Sequence, residues 1–155
     1  MELRLFNDLV RAIRAADDNA AVGSSKVRNR WQRSSGSILT GMGIVSMVAV
    51  VEHRLGKDPN KQWRLPGGWM GKEEFNNLRQ IRHCFAHADG RILPGLERKL
   101  KYFYAKLVKG EVRNARGERI MPYYRLERGR VKLDLSALDR AKRLCLDCMS
   151  EAGVI

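Results

Sequence analysis

Between Arg79 and Arg91 the chain reads RQIRHCFAHADGR, a stretch that holds two of its three histidines, His83 and His87, beside Arg79 and Arg82. An imidazole ordinarily titrates near pH ~6.5 and can take or give a proton at neutral pH. A guanidinium beside it can hold a phosphate and stabilise the charge that develops there. Together these groups suffice to cleave RNA without a metal, because the 2′-OH of the substrate is itself the nucleophile. The same residues also suit plainer roles, since a histidine near a helix end can cap a carbonyl and arginines can form a solvated face. On an ideal helix Arg79, His83 and His87 drift along one side, whereas Arg82 lies about 140° from His87, nearer the apolar face. One helix therefore does not make a tight Arg82–His87 pair. Two copies meeting across a two-fold axis could, with Arg82 of one chain reaching the groove that holds His87 of the other.

Composition frames this cluster. The 155 residues suffice for one domain with its own core, and 44% hydrophobic beside 30% charged residues argues against general disorder. Thirty Lys and Arg against seventeen Asp and Glu give a net charge of +13, a field that gathers polyanions. Nucleic acid is the leading partner, ahead of an acidic protein inhibitor or an anionic membrane surface. The three cysteines Cys84, Cys145 and Cys148 are an odd number with no secretory signal before them, which fits a reducing cytoplasm. Cys145 and Cys148 have CxxC spacing, but no second pair completes a zinc site, so they read as buried helix thiols and no metal or cofactor is expected. The longest apolar run, 38–51, falls short of the roughly 18 to 20 residues of a membrane span and reads as a buried helix.

The elements that must position the cluster follow from periodicity. Leu3, Phe6, Val10 and Ile13, with Leu5 and Leu9 alongside, predict a first helix to about Asp18. A basic loop spans 20–36, with Lys26, Arg28, Arg30, Trp31 and Arg33 as nucleic-acid-binding candidates. Ser37 could cap a second helix to about Arg54, in which Gly41, Gly43, Ser46 and Ala49 allow a neighbour to approach closely. The Gly- and Pro-rich connection 55–71 carries Trp63 and Trp69, which either fold back on the core or offer stacking surfaces for bases. A third helix is expected from about Lys72 to Ala88, burying Leu78, Ile81 and Phe85 and stopping at Gly90. Pro94 opens a fourth, with Leu96, Leu100, Phe103 and Leu107 as its seam before Gly110. RIMPYYRLERGRVKLDL alternates as a hairpin around Glu127-Arg128-Gly129-Arg130, and Ser136 with Asp139 forms a capping-box pattern for a last helix ending near Gly153. The fold class is thus mainly α, a bundle of four to five helices with a short β-hairpin before the last, in one domain over 1–155.

The stretch Arg82-His83-Cys-Phe-Ala-His87 resembles the signature of the HEPN superfamily, an Arg, then Asn, Asp or His, and a His four to six positions after the Arg. The surrounding LRQIRHCFAHADGRI is similar to the Leu-x-x-x-Arg-Asn-Cys-x-x-His-x-x-Gly-x-Ile stretch of some bacterial HEPN proteins. A helix ending in Val51-Glu52, the motif helix, another helix, a hairpin and a closing helix match the layout over most of residues 37–152. His83 departs from the commoner Asn. The resemblance implies an α-helical homodimer acting as a metal-independent endoribonuclease, commonly the toxin of a toxin–antitoxin or phage-defence system, with an acidic antitoxin as a further partner. It assigns catalysis to Arg82 and His87, with His83, Arg79 and Glu52 as accessory residues. Two other readings stay open: a non-catalytic HEPN-type module that holds nucleic acid or nucleotide in the same basic groove, and a basic interaction subunit that docks an acidic partner.

Overall fold

The computed structural model describes residues 2–21, 34–114, 116–134 and 136–155. Its elements are α1 (Glu2–Ala21), α2 (Ser34–Leu55), α3 (Lys72–Ala88), α4 (Glu97–Lys109), β1 (Tyr124–Glu127), β2 (Arg130–Leu133) and α5 (Ala137–Glu151). The protein is mainly helical, and a two-stranded antiparallel hairpin precedes the last helix, pairing Tyr124 with Leu133 and Glu127 with Arg130. Arg128 and Gly129, both at positive φ, make its two-residue turn.

Helix α2 is the hub, packed against α3, α5, α1 and strand β2. Its glycines explain how. A Cβ on Gly41 would stand 2.2 Å from the Phe85 ring of α3, and one on Gly43 would stand 2.4 Å from Ile13 of α1 and 2.9 Å from Leu138 of α5. Bare backbone at these two positions lets three helices converge on one. Ser46 and Ala49, expected to share that role, instead face solvent, because they lie on the opposite side of the helix from Ile44, Met47, Val48 and Val51. The apolar stretch Ile38–Leu55 is long enough by length and composition to cross a membrane, so the expected shortfall is not met. Half of it is buried in the fold.

Helix α3 spans the residues its pattern predicts and buries Phe75, Leu78, Ile81, Cys84 and Phe85 against α2. Its C-cap is Asp89 at φ 51, one residue before the expected Gly90, which follows at φ 89. Helix α1 runs on past Asp18 and α2 begins three residues ahead of Ser37, which therefore lies within the helix and not at its cap. On α1 the core takes Phe6 and Val10 with Leu9 and Ile13 packed beside them, whereas Leu3 and Leu5 remain half exposed. The capping box at α5 does not form: the Ser136 side chain makes no cap bond. Asp134 takes its place, accepting the Ser136 N–H on Oδ1 at 2.9 Å and the Ala137 N–H on its carbonyl at 3.0 Å, while Asp139 turns to Arg14.

Polar ties hold the layers in register. Arg140 of α5 grips Glu74 of α3 through Nε to Oε1 at 2.9 Å and Nη2 to Oε2 at 3.0 Å, and Glu74 is only 2% exposed. Burial pushes the Glu74 carboxyl up, against the pull of Arg140. The Tyr124 hydroxyl donates to the Leu100 carbonyl at 3.1 Å and lies 3.3 Å from Asn77 Oδ1, tying β1 to α4 and α3. Cys145 and Cys148 are buried free thiols, as their spacing suggested, and burial pushes Cys148 up to about 12.

Candidate functional site

Antiparallel packing of α2 on α3 brings the last turn of α2 against the middle of α3, and so sets Glu52 beside Arg79 and Arg82. One carboxylate oxygen, Glu52 Oε1, accepts from Arg82 Nη2 at 2.6 Å and from Arg79 Nε at 3.2 Å. The side chains are 9% exposed for Glu52 and 17% for each arginine, so this is an ion-pair triad within the protein wall and not a solvated contact. Arg79 makes a further bond through Nη1 to Asn76 Oδ1 at 3.3 Å. Arg82 Nε is buried without a hydrogen-bond partner. A buried guanidinium N–H left open costs about 1–3 kcal/mol and is satisfied by any oxygen that reaches it.

One turn further along α3, His83 and His87 stack with ring centroids 5.8 Å apart and planes inclined by 18°. His83 is partly buried and His87 is exposed. Burial, with the positive charges of Arg82, His87 and Arg79, holds the His83 imidazole below its ordinary pKa, and only Glu52 pulls the other way. The neutral ring is therefore favoured at His83. Arg82 and His87 share no hydrogen bond within the protomer among the described residues.

Four of the five α2–α3 candidates, Glu52, Arg79, Arg82 and His83, thus form one electrostatic unit, and His87 joins it through the stack on His83. The remaining candidates, Lys26, Arg28, Arg30, Trp31 and Arg33, lie outside the described residues. The two tryptophans of the connection part ways. Trp69 is 6% exposed, packs against Phe75 and donates Nε1–H to Asp147 Oδ2 at 2.8 Å, so it belongs to the core. Trp63 stands at the triad, with the Arg79 guanidinium 5.9 Å and the Lys57 ammonium 4.6 Å from its ring centre. Lys57 was not among the sequence candidates; its place six residues before a tryptophan in a Gly- and Pro-rich loop was the available signal. A separate groove of about 450 Å³, between α1, α5 and the 114–118 turn, shares no residue with this cluster.

Around the triad the chemistry is that of an anion site: two fixed guanidinia and a pair of imidazoles beside them, under a net charge of +13. Compared with known protein families, curated sequences and solved structures, the chain finds no match in any of the three.

Proposed function

We propose that the protein is a metal-independent endoribonuclease of HEPN type, working as a homodimer in the cytoplasm, as the toxin or defence RNase of a system that neutralises it with an acidic partner. The observation that carries this reading is the Glu52-held pair of arginines beside the His83–His87 stack. In the reaction the 2′-oxygen of RNA attacks the adjacent phosphorus while His87 handles the proton. The P–O5′ bond breaks, the 5′-oxygen receives a proton, and the products carry a 2′,3′-cyclic phosphate and a 5′-OH. Arg82 stabilises the charge on the phosphorane oxygens through the part of its guanidinium that remains exposed. Glu52 and Arg79 keep that guanidinium in place, and His83, held toward its neutral form, supports the His87 ring.

A second copy completes the site, Arg82 of one chain serving His87 of the other. Support for the dimer comes from α2, where Ile38, Leu39 and Met42 are 37%, 38% and 47% exposed on a stripe that continues through the small residues Ser46 and Ala49. Helix α3 adds exposed Ala86 and His87.

The test is incubation of the pure protein with RNA in EDTA, alongside Arg82→Ala, His87→Ala and the double variant. Cleavage is expected from the wild type alone, in a species of twice the monomer mass by light scattering, and the double variant should be no worse than either single, because residues acting as a unit are not additive. Fragments with 5′-phosphate ends, or full activity in a folded His87→Ala protein, overturn the reading.

A further inference from the structure

We propose that Trp63 is a nucleobase platform, on which a base of single-stranded RNA flanking the scissile phosphate stacks while Lys57 and Arg79 hold the neighbouring phosphates. The inference rests on the ribonuclease reading above and adds to it a substrate subsite.

Trp63 is a large apolar side chain that the core does not use. It is half-buried, and it stands outside the cluster of buried side chains that claims Trp69. It is nonetheless held firmly in place. The Gly56 N–H caps α2 on the Glu52 carbonyl at 3.0 Å, and Arg64 N–H returns to the Gly56 carbonyl at 3.1 Å. Between them, Asp58 N–H bonds the Gln62 carbonyl at 2.8 Å and the Asp58 carboxylate accepts the Gln62 N–H at 2.9 Å. Lys57 and Trp63 pair as an antiparallel bridge, and Arg64 Nε binds the Lys57 carbonyl at 3.2 Å. The loop is a closed turn that starts from the last residues of α2, the same turn that carries Glu52.

The charge around the ring suits one class of ligand. Lys57, Lys61 and Arg64 gather on this turn against Asp58, whose carboxylate is engaged within the loop, while Arg79 on its flank is held by Glu52. Lys57 has no carboxylate partner among the described residues; its ammonium lies over the indole. A phosphodiester supplies the missing counter-charge, and the base attached to it supplies a flat surface for the ring. Aromatic rings interleaved with cations are how proteins hold single strands without reading their letters, since every base has a π-face. A duplex conceals those faces within its stack. Contact runs unbroken from the platform to the reacting groups: Trp63 ring to Arg79, Arg79 to Glu52 at 3.2 Å, Glu52 to Arg82 at 2.6 Å. A base on Trp63 would therefore place its own phosphate within the arginine pair.

The experiment uses the His87→Ala chain, which binds without cutting, titrated with single-stranded oligoribonucleotides while tryptophan fluorescence is followed. Quenching is expected, with a fall in affinity of about tenfold on adding Trp63→Ala. Trp63→Tyr, which keeps an aromatic face, should retain most of the affinity and show clearly less quenching. In the active chain, Trp63→Ala should raise KM and leave kcat within about twofold. Unchanged affinity in Trp63→Ala overturns the platform, as does quenching undiminished in Trp63→Tyr, equal quenching by duplex RNA, or equal quenching by polyglutamate, which would mean that the ring senses charge alone. Stacking in a chain that never cleaves RNA keeps the platform and sinks the ribonuclease reading. Cleavage indifferent to Trp63 does the reverse.

Discussion

Truncating Glu52 to alanine tests the triad directly. The substitution removes one carboxylate and strands two guanidinia, each with a side chain 17% exposed. Breaking a buried ion pair by deleting one partner costs about 3–5 kcal/mol. Arg79 keeps its bond to Asn76 and both heads retain some solvent, which places Glu52→Ala at the lower end, about 3 kcal/mol. For a chain of this size each kcal/mol moves the melting temperature by about 2–4 °C, so a fall of about 9 °C is expected. Glu52→Gln keeps an acceptor oxygen and loses the charge, and should cost about half as much. In a double-mutant cycle, Glu52→Ala and Arg82→Ala should fall short of additivity by about 1–2 kcal/mol. Added salt should leave that coupling largely intact, because the pair is shielded from bulk ions. Differential scanning calorimetry of the four proteins provides the measurement. A Glu52→Ala protein that melts within about 2 °C of the wild type would refute the argument, since it would mean that the arginines find water or another acceptor freely.

Gly41→Ala should destabilise by about 1–3 kcal/mol in urea unfolding, because its Cβ meets the Phe85 ring and α2 must move off α3 to admit it. His83 has a folded pKa below its unfolded value, so it imposes no penalty above pH ~6.5, and stability is lost as pH falls from there through the folded value, because the unfolded chain takes the proton first. His83→Asn should therefore lose less melting temperature than the wild type between about pH 7.5 and 5.5, as read by circular dichroism.

The helices, the hairpin and their order were legible in the sequence because Gly, Pro and apolar spacing act locally. Helix α3 is the clearest instance, its bounds set by the Gly-rich connection before it and the Asp89-Gly90 exit after it. Legibility failed where a tertiary partner decides. Asp134 outcompeted Ser136 for the start of α5, and the stripe of α1 was wider than the surface it covers, which left Leu3 and Leu5 outside. For the site, Arg82 and His87 stood out through the resemblance of their stretch to a known signature, and Glu52 by its place in a layout. That one oxygen of Glu52 would bind two arginines 27 and 30 residues away depends on the antiparallel seating of α2 on α3, which no local pattern encodes. The division of labour between Trp63 and Trp69 was equally hidden, because both sit in the same irregular connection.

Val131 N–H bonds the Gly90 carbonyl at 2.8 Å, Ile92 N–H bonds the Gly129 carbonyl at 2.8 Å, and Arg130 Nη1 reaches the Asp89 carbonyl at 3.2 Å, all just past the end of α3. A helix terminus ordinarily frays, and a side chain in its last turn samples many backbone positions. Here a β-ribbon clasps the residues just past that terminus, which restrains fraying of the backbone that carries His87. Amide exchange at Val131 and Ile92 should accordingly be slow, and loosening the clasp would blur where the imidazole stands without touching any residue around it.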